Sequence, residues 1–263
     1  MRLAVVSDLH LTLDATTSAS WHNAFDFAGV PARIDAARAL FERERVDALL
    51  ACGDLTHDGD EPSARDAVER LSTGLDRPLL VLAGNHDCLE RDDQLERCGG
   101  EMLTAGGVEL DGARVAGVAI EREAGKFRWT GAGEFAGMRV VASHFPVLSR
   151  AERLEEHGLA YPGDLTNRQA LHERLLGDGP VVALSGHIHA RESHARDSVL
   201  QLSAGALVES PYEVAIVDVR VTRAEIVVRR RVHELGGPAA QADPVLAPAD
   251  ETWAFDAGGW VTR

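Results

Sequence analysis

The 263-residue sequence has only three cysteines, Cys52, Cys88 and Cys98, and no C-x-x-C pair among them. That is too few for a disulfide framework, so a reducing compartment, the cytoplasm, is expected. No apolar run approaches the ~20 residues of a membrane-spanning helix, and Asp8 cuts the first apolar stretch too soon for a secretory leader. No membrane association is expected. Positive charge is scarce as well: the formal net charge is -15. Such a balance argues against stable binding of nucleic acid through its phosphates, and it suits an anionic membrane surface poorly. A small phosphorylated substrate passes this filter, because bound metal cations reverse the local field of an acidic protein. Internal repeats of about 20–50 residues are also missing. What remains is a chain with 45% hydrophobic residues, enough for the core of one large α/β domain or two small ones.

Short apolar runs at 3–7, 48–52, 79–83, 139–143 and 181–185 predict buried strands. Between them, Ile34, Ala37, Leu40 and Phe41 recur at helical spacing and predict a helix over 31–45. Residues 61–71 and 165–176 read the same way. Strand–helix alternation implies a layered α/β fold. After Val199 the texture changes to strands at 199–203, 212–219 and 225–232, the last two joined by a hairpin around 220–224. Residues 236–250 are rich in Pro, Ala and Gly without periodicity and read as a tail or linker. A domain over 1–232 is therefore expected, followed by a partly irregular tail over 233–263. Trp253, Phe255 and Trp260 are placed to dock that tail on the body or on a second subunit, the latter making a homodimer.

The chemistry lies where the strands end. The first predicted strand runs into Ser7-Asp8-Leu9-His10, the second into Gly53-Asp54, and the third into Gly84-Asn85-His86-Asp87. Two later strands end in Ser143-His144 and Gly186-His187-Ile188-His189. Ligands of open α/β sheets bind outside the carboxyl ends of strands, so these side chains are expected to meet in one crevice. Gly53, Gly84 and Gly186 are expected to turn the chain sharply before it. Carboxylates, an Asn carbonyl and imidazoles without thiolate form a donor set suited to Mn, Fe, Zn, Co or Ni. The set is too large for one ion. With one bridging carboxylate it serves two, and two ions about 3.5–4 Å apart clamp a phosphoryl group and activate a shared water. Taken singly, an Asp-x-His or a Gly-Asp recurs by chance, and a lone histidine such as His22, His157, His172, His194 or His233 reads as a surface or helix-end residue.

The order Asp-x-His, Gly-Asp, Gly-Asn-His-Asp, His, Gly-His-x-His resembles the calcineurin-like metallophosphoesterase superfamily over about residues 1–232. The resemblance implies a four-layer α/β/β/α sandwich of two mixed sheets flanked by helices, with the strands after His189 in the second sheet. It implies that Asp8, His10 and His189 hold one metal, that Asn85, His144 and His187 hold the other, and that Asp54 bridges them. His86 then protonates or hydrogen-bonds the leaving oxygen, as a near-neutral imidazole can, with Asp87 as its orienting partner.

The Ser/Thr protein phosphatases of the superfamily carry two phosphate-clamping arginines, and here those places hold Asp58 and Leu89. The sequence is most similar to the bacterial cyclic nucleotide phosphodiesterase group, which implies a less charged diester substrate. Alternatives are a phosphomonoesterase, a nuclease, faintly suggested by Gly53-Asp54-Leu55-Thr56-His57, or a scaffold that binds metal without turnover. Against the nuclease, Arg229-Arg230-Arg231 is one short cluster that strand alternation would split between two faces, and a solvated sheet edge is expected there. Residues 11–30 hold Trp21, His22, Asn23, Phe25 and Phe27, which either stack on a base or pack the loop itself, while His57 either faces the substrate or serves as a turn.

Overall fold

The computed structural model describes residues 1–87, 89, 93–103, 106–131, 135–177, 179–222, 225–256 and 258–263. Strands β1 (Arg2–Val6), β2 (Ala48–Cys52) and β3 (Leu79–Leu82) pair in parallel and continue into the short β4 (Glu101–Met102). Their near-complete burial explains the unbroken apolar runs, since a strand covered on both faces has no polar alternation. Alternate residues serve different layers. Leu3, Val5, Leu50 and Leu80 point into a core between two sheets, whereas Ala4, Val6, Leu49 and Val81 meet a helical layer.

That helical layer holds α1 (Val30–Glu44) and α2 (Glu61–Ser72). The Asp60 side chain caps α2 by accepting from Ser63 N at 2.8 Å, and Arg45 closes α1 in the left-handed region at φ 52°. A second, six-stranded sheet runs in the order β11 (Glu192–Arg196), β12 (Val199–Ser203), β10 (Val181–Ser185), β9 (Val140–Ser143), β6 (Ala113–Gly117) and β5 (Val108–Leu110). Its outer face is covered by the helix over Arg168–Leu176 through Leu171 and Leu175. Helix, sheet, sheet, helix is the expected four-layer arrangement. No described helix is long and apolar enough to cross a membrane.

The strands after His189 do not all enter the second sheet. β12 does, but β13 (Glu213–Val221) pairs antiparallel with β1, and β14 (Ile226–Glu234) follows it in the first sheet. The reason is register: Ala215 and Val217 face the inter-sheet core while Val214 and Ile216 face the helical layer, so β13 suits a position beside β1. The hairpin joining the pair is present, although Arg223 and Ala224 lie outside the described residues. Two more strands, β15 (Asp250–Asp256) and β16 (Gly259–Thr262), extend the same sheet, and Trp253, Phe255 and Trp260 pack against the inter-sheet core of their own chain. β14 is therefore an interior strand, and Arg230 is no solvated edge residue. It is 2% exposed, pairs with Glu251 at 2.5 Å, and donates to the carbonyls of Glu192 and Ser203, while Arg229 and Arg231 pair with Asp250 and Glu44.

A separate two-stranded hairpin, β7 (Ile120–Glu123) with β8 (Lys126–Trp129), belongs to neither large sheet.

Candidate functional site

Beyond β1 and β2 the two chains stay together: Asp8 N donates to Gly53 O, His10 N to Asp54 O, and Leu11 N to Leu55 O. This pairing sets the Asp-x-His motif beside the Gly-Asp motif. Gly84 follows β3 closely enough that a Cβ there would stand 2.1 Å from Asp54 Oδ1. A Cβ at Gly186 would stand 1.7 Å from Ser7 Oγ. Neither glycine has a positive φ, so the expected sharp turn holds only for Gly53, at φ 88°; the other two provide room for close approach. Convergence also strains the backbone at five strand-end residues: Asp8, His10, Asp54, His187 and His189 all have φ between 46° and 69°. Non-glycine residues in that region are uncommon and cluster where a ligand dictates geometry.

The side chains meet. His10 Nε2 lies 3.3 Å from His189 Nε2 and 3.5 Å from Asp54 Oδ2, and His189 Nε2 lies 3.4 Å from Asp8 Oδ1. His144 Nε2 is 3.3 Å from Asp54 Oδ2 and 3.0 Å from Asn85 Oδ1. His187 packs its ring 5.0 Å from that of His144. Asp54 is thus the carboxylate touched by imidazoles from both halves of the cluster. Its other oxygen accepts from His86 N at 2.8 Å.

Second partners fix which ring nitrogen faces inward. His144 Nδ1 donates to Cys52 O, His189 Nδ1 to Glu209 Oε2, and His86 Nδ1 to His57 O, each at 2.8 Å. In all three the Nε2 is left for the cleft. The expectation that Asp87 orients His86 is corrected here. Its carboxylate instead accepts from the backbone N–H groups of Gly84, Leu55 and Thr56 and from Thr56 Oγ1, binding the second and third motifs together. Glu209 was invisible to motif reading. It is fully buried, lies 20 residues beyond His189, and also accepts from Asn23 N.

Two buried carboxylates, Asp8 and Asp54, demand positive charge, and no lysine or arginine lines the buried floor of this cleft among the described residues. Burial pushes His144 and His189 down, yet Asp54 lifts the first to about 9, and Asp8 and Glu209 lift the second to about 10. Burial dominates at His10 and His187 and holds both well below the ordinary imidazole range. The donor geometry fits metal ions. Ligand atoms of Asp8, His10 and His189 lie within 4.8 Å of one another, as do those of Asp8, Asp54 and His144. Two imidazole Nε2 atoms 3.3 Å apart are a poor pair by themselves unless one carries the hydrogen, and a shared cation satisfies both. His187 Nε2 is buried without a hydrogen-bond partner, as a nitrogen kept for a cation would be.

Above this floor opens a cleft of about 550 Å³, lined by Trp21, Phe25, His86, Lys126, Phe127 and Phe145, among others. Of the aromatic loop residues, only Trp21 leaves a substantial face open, at 39% exposed. Phe25 stacks on His189 at 5.4 Å, Phe27 packs on Phe25 and His57, and the Asn23 side chain ties the loop to residues 241–242. His22 reaches the carbonyl of Ile188. His57 faces the site rather than acting as a turn alone: its ring stacks on His86 at 5.2 Å, and its Nδ1 lies 3.3 Å from His10 Nδ1.

Among solved structures, the chain is similar to a dimetal phosphatase from Danio rerio, at 12% identity and a TM-score of 0.55, covering 87% of this chain and 95% of that one. It is also similar to the protein TT1561 of Thermus thermophilus, at 13% identity and a TM-score of 0.52, covering 82% and 93%. An archaeal phosphodiesterase matches at 16% identity with a TM-score of 0.46, covering 89% and 100%. No curated protein matches the sequence. The profile of the calcineurin-like phosphoesterases matches residues 1–191, the span that carries all five strand-end motifs, and the chain belongs to that family.

Proposed function

We propose that the protein hydrolyses phosphodiesters at a dinuclear metal centre. In this reading Asp8, His10 and His189 hold one divalent ion, Asn85, His144 and His187 hold the second, and Asp54 bridges them. The mixed nitrogen and oxygen donors favour Mn, Fe or Zn. The ions would supply Lewis acidity toward the phosphoryl oxygens and would activate a water for attack. The chain's own groups do the rest. His86, anchored through Nδ1 to the His57 carbonyl, presents Nε2 to the cleft, where it would hydrogen-bond or protonate the departing oxygen. Glu209 holds His189, and the Cys52 carbonyl holds His144, so both imidazoles stay oriented without reorganisation.

The observation that carries the choice of diester is the lining of the cleft: among the described residues it contains no arginine. A monoester dianion gains from bidentate guanidinium clamps, and a singly charged diester needs them less. A cyclic nucleotide or a similar small diester, with its base against Trp21, fits this description. Assay of Mn-loaded protein with bis(p-nitrophenyl) phosphate and p-nitrophenyl phosphate tests it. The expected result is a higher kcat/KM on the diester; much faster cleavage of the monoester than of any diester would overturn the reading.

A further inference from the structure

One charged side chain in the cleft has no part in the reading above. Lys126 is the only lysine in the sequence. It stands at the tip of the β7–β8 hairpin, exposed, and lines the same cleft as His10, Asp54, His86 and His189. Its cationic neighbours are already engaged, Arg122 by donating to the Asn85 carbonyl at 3.4 Å. Arg128 pairs with Glu121 and Glu123, and Arg122 lies over the Phe127 ring at 5.0 Å. Asp164, on the same cleft, is held by Tyr161 and Arg168. Among the described residues Lys126 makes no ion pair. An acidic protein repels anions over most of its surface, so an uncommitted cation at the mouth of the cleft is a local attractor for a negatively charged ligand.

Depth separates this cation from the reacting centre. His10, Asp54 and His189 are 1%, 2% and 5% exposed, whereas Lys126 is open to solvent. A cleft of about 550 Å³ has room for more than the phosphoester on its floor. Lysine suits the task, being a point charge on a flexible stem that accepts an anion at varied positions without bidentate geometry. We propose that Lys126 binds a second anionic group of the substrate, separate from the ester that is cleaved. The preferred substrates are therefore phosphodiesters carrying a further phosphate or carboxylate. This rests on the phosphodiesterase reading and narrows it: a cyclic mononucleotide leaves Lys126 unused, while a diester with a second phosphate engages it.

Two chromogenic esters that differ by one group test the proposal: the p-nitrophenyl ester of thymidine 5′-phosphate, and the same compound with a 3′-phosphate. With Mn-loaded protein, Lys126→Met is expected to raise KM for the 3′-phosphorylated ester roughly 5–20-fold, the range between an exposed ion pair and a charged hydrogen bond. The rise on the plain ester should be clearly smaller, kcat should move little, and Lys126→Arg should restore most of the difference. Added salt should shrink the advantage of the 3′-phosphate. Acetylation gives a readout free of turnover, because Lys126 is the only side-chain amine: thymidine 3′,5′-bisphosphate should protect it, and thymidine 5′-phosphate should protect it less. Equal losses on both esters, or equal protection by both nucleotides, would overturn the role of Lys126 and leave the phosphodiesterase reading standing. Wild-type protein that cleaves neither ester would overturn both.

Discussion

Three imidazoles in the cleft are fixed through Nδ1, and each uses a different kind of acceptor: a strand-end carbonyl for His144, a loop carbonyl for His86, and a carboxylate for His189. Glu209 is the acceptor most open to test. Glu209→Gln keeps the shape and removes the charge, so Mn affinity should fall about 10–100-fold, as for other partners of ligating histidines. Titration calorimetry reads this directly, and unchanged affinity would show that Glu209 merely fills space. His86→Ala should retain metal and lose ~10²–10⁴-fold in kcat; loss of metal instead would mean that His86 is a ligand. The residues on the strand ends were legible because short motifs followed apolar runs in a fixed order. Glu209 was not, because a buried acid announces itself only through its partners, and its sequence neighbours Val208 and Ser210 carry no spacing signal. Asp87 shows the opposite failure. Adjacency to His86 suggested a partnership, but the side chain turns toward the backbone of Gly84, Leu55 and Thr56.

At the scale of elements, the fully buried strands and the two helices beneath them could be read from the sequence, since continuous apolar runs and 3.6-residue spacing are strong signals. β4, β5, β7 and β8 escaped because they are two to four residues long and mostly exposed or half-exposed, and β6, though largely buried, has its apolar run broken by Arg114 and ends in Gly117. Sheet membership was harder still. β13 has apolar residues on both faces, so nothing local says which sheet it joins; pairing with β1 decides it. Packing between the sheets sets the floor of the cleft, since β2 ends where Asp54 begins its loop. Leu50→Ala, in the middle of that layer, should cost ~2–5 kcal/mol in denaturant unfolding. A loss below 1 kcal/mol, on the order of a tolerant surface site, would contradict the layer assignment.

At the scale of the molecule, the two sheets are joined at one end by buried polar contacts: Arg191, beside β11, reaches Glu213 of β13, and Arg230 of β14, paired with Glu251 of the neighbouring strand, donates to the carbonyls of Glu192 and Ser203 in the other sheet. Burial raises the Glu213 carboxyl to about 7, against the pull of Arg191 and Arg230 and with the help of Glu234. The folded chain therefore keeps a proton that the unfolded chain, near 4.5, has released. That contribution to stability is complete below the unfolded value and is lost as pH rises through about 7. Denaturation midpoints should fall between about pH 5 and about pH 8, and Glu213→Gln, which copies the protonated form, should flatten the decline. An identical slope in both proteins would remove Glu213 from the account. The central claim is that strand ends far apart in sequence form one dinuclear centre. Metal content of Mn-dialysed protein measures it most directly. Two ions per chain are expected for the wild type and a clear loss for Asp54→Ala; fewer than one ion per wild-type chain, or no change in the variant, would contradict it.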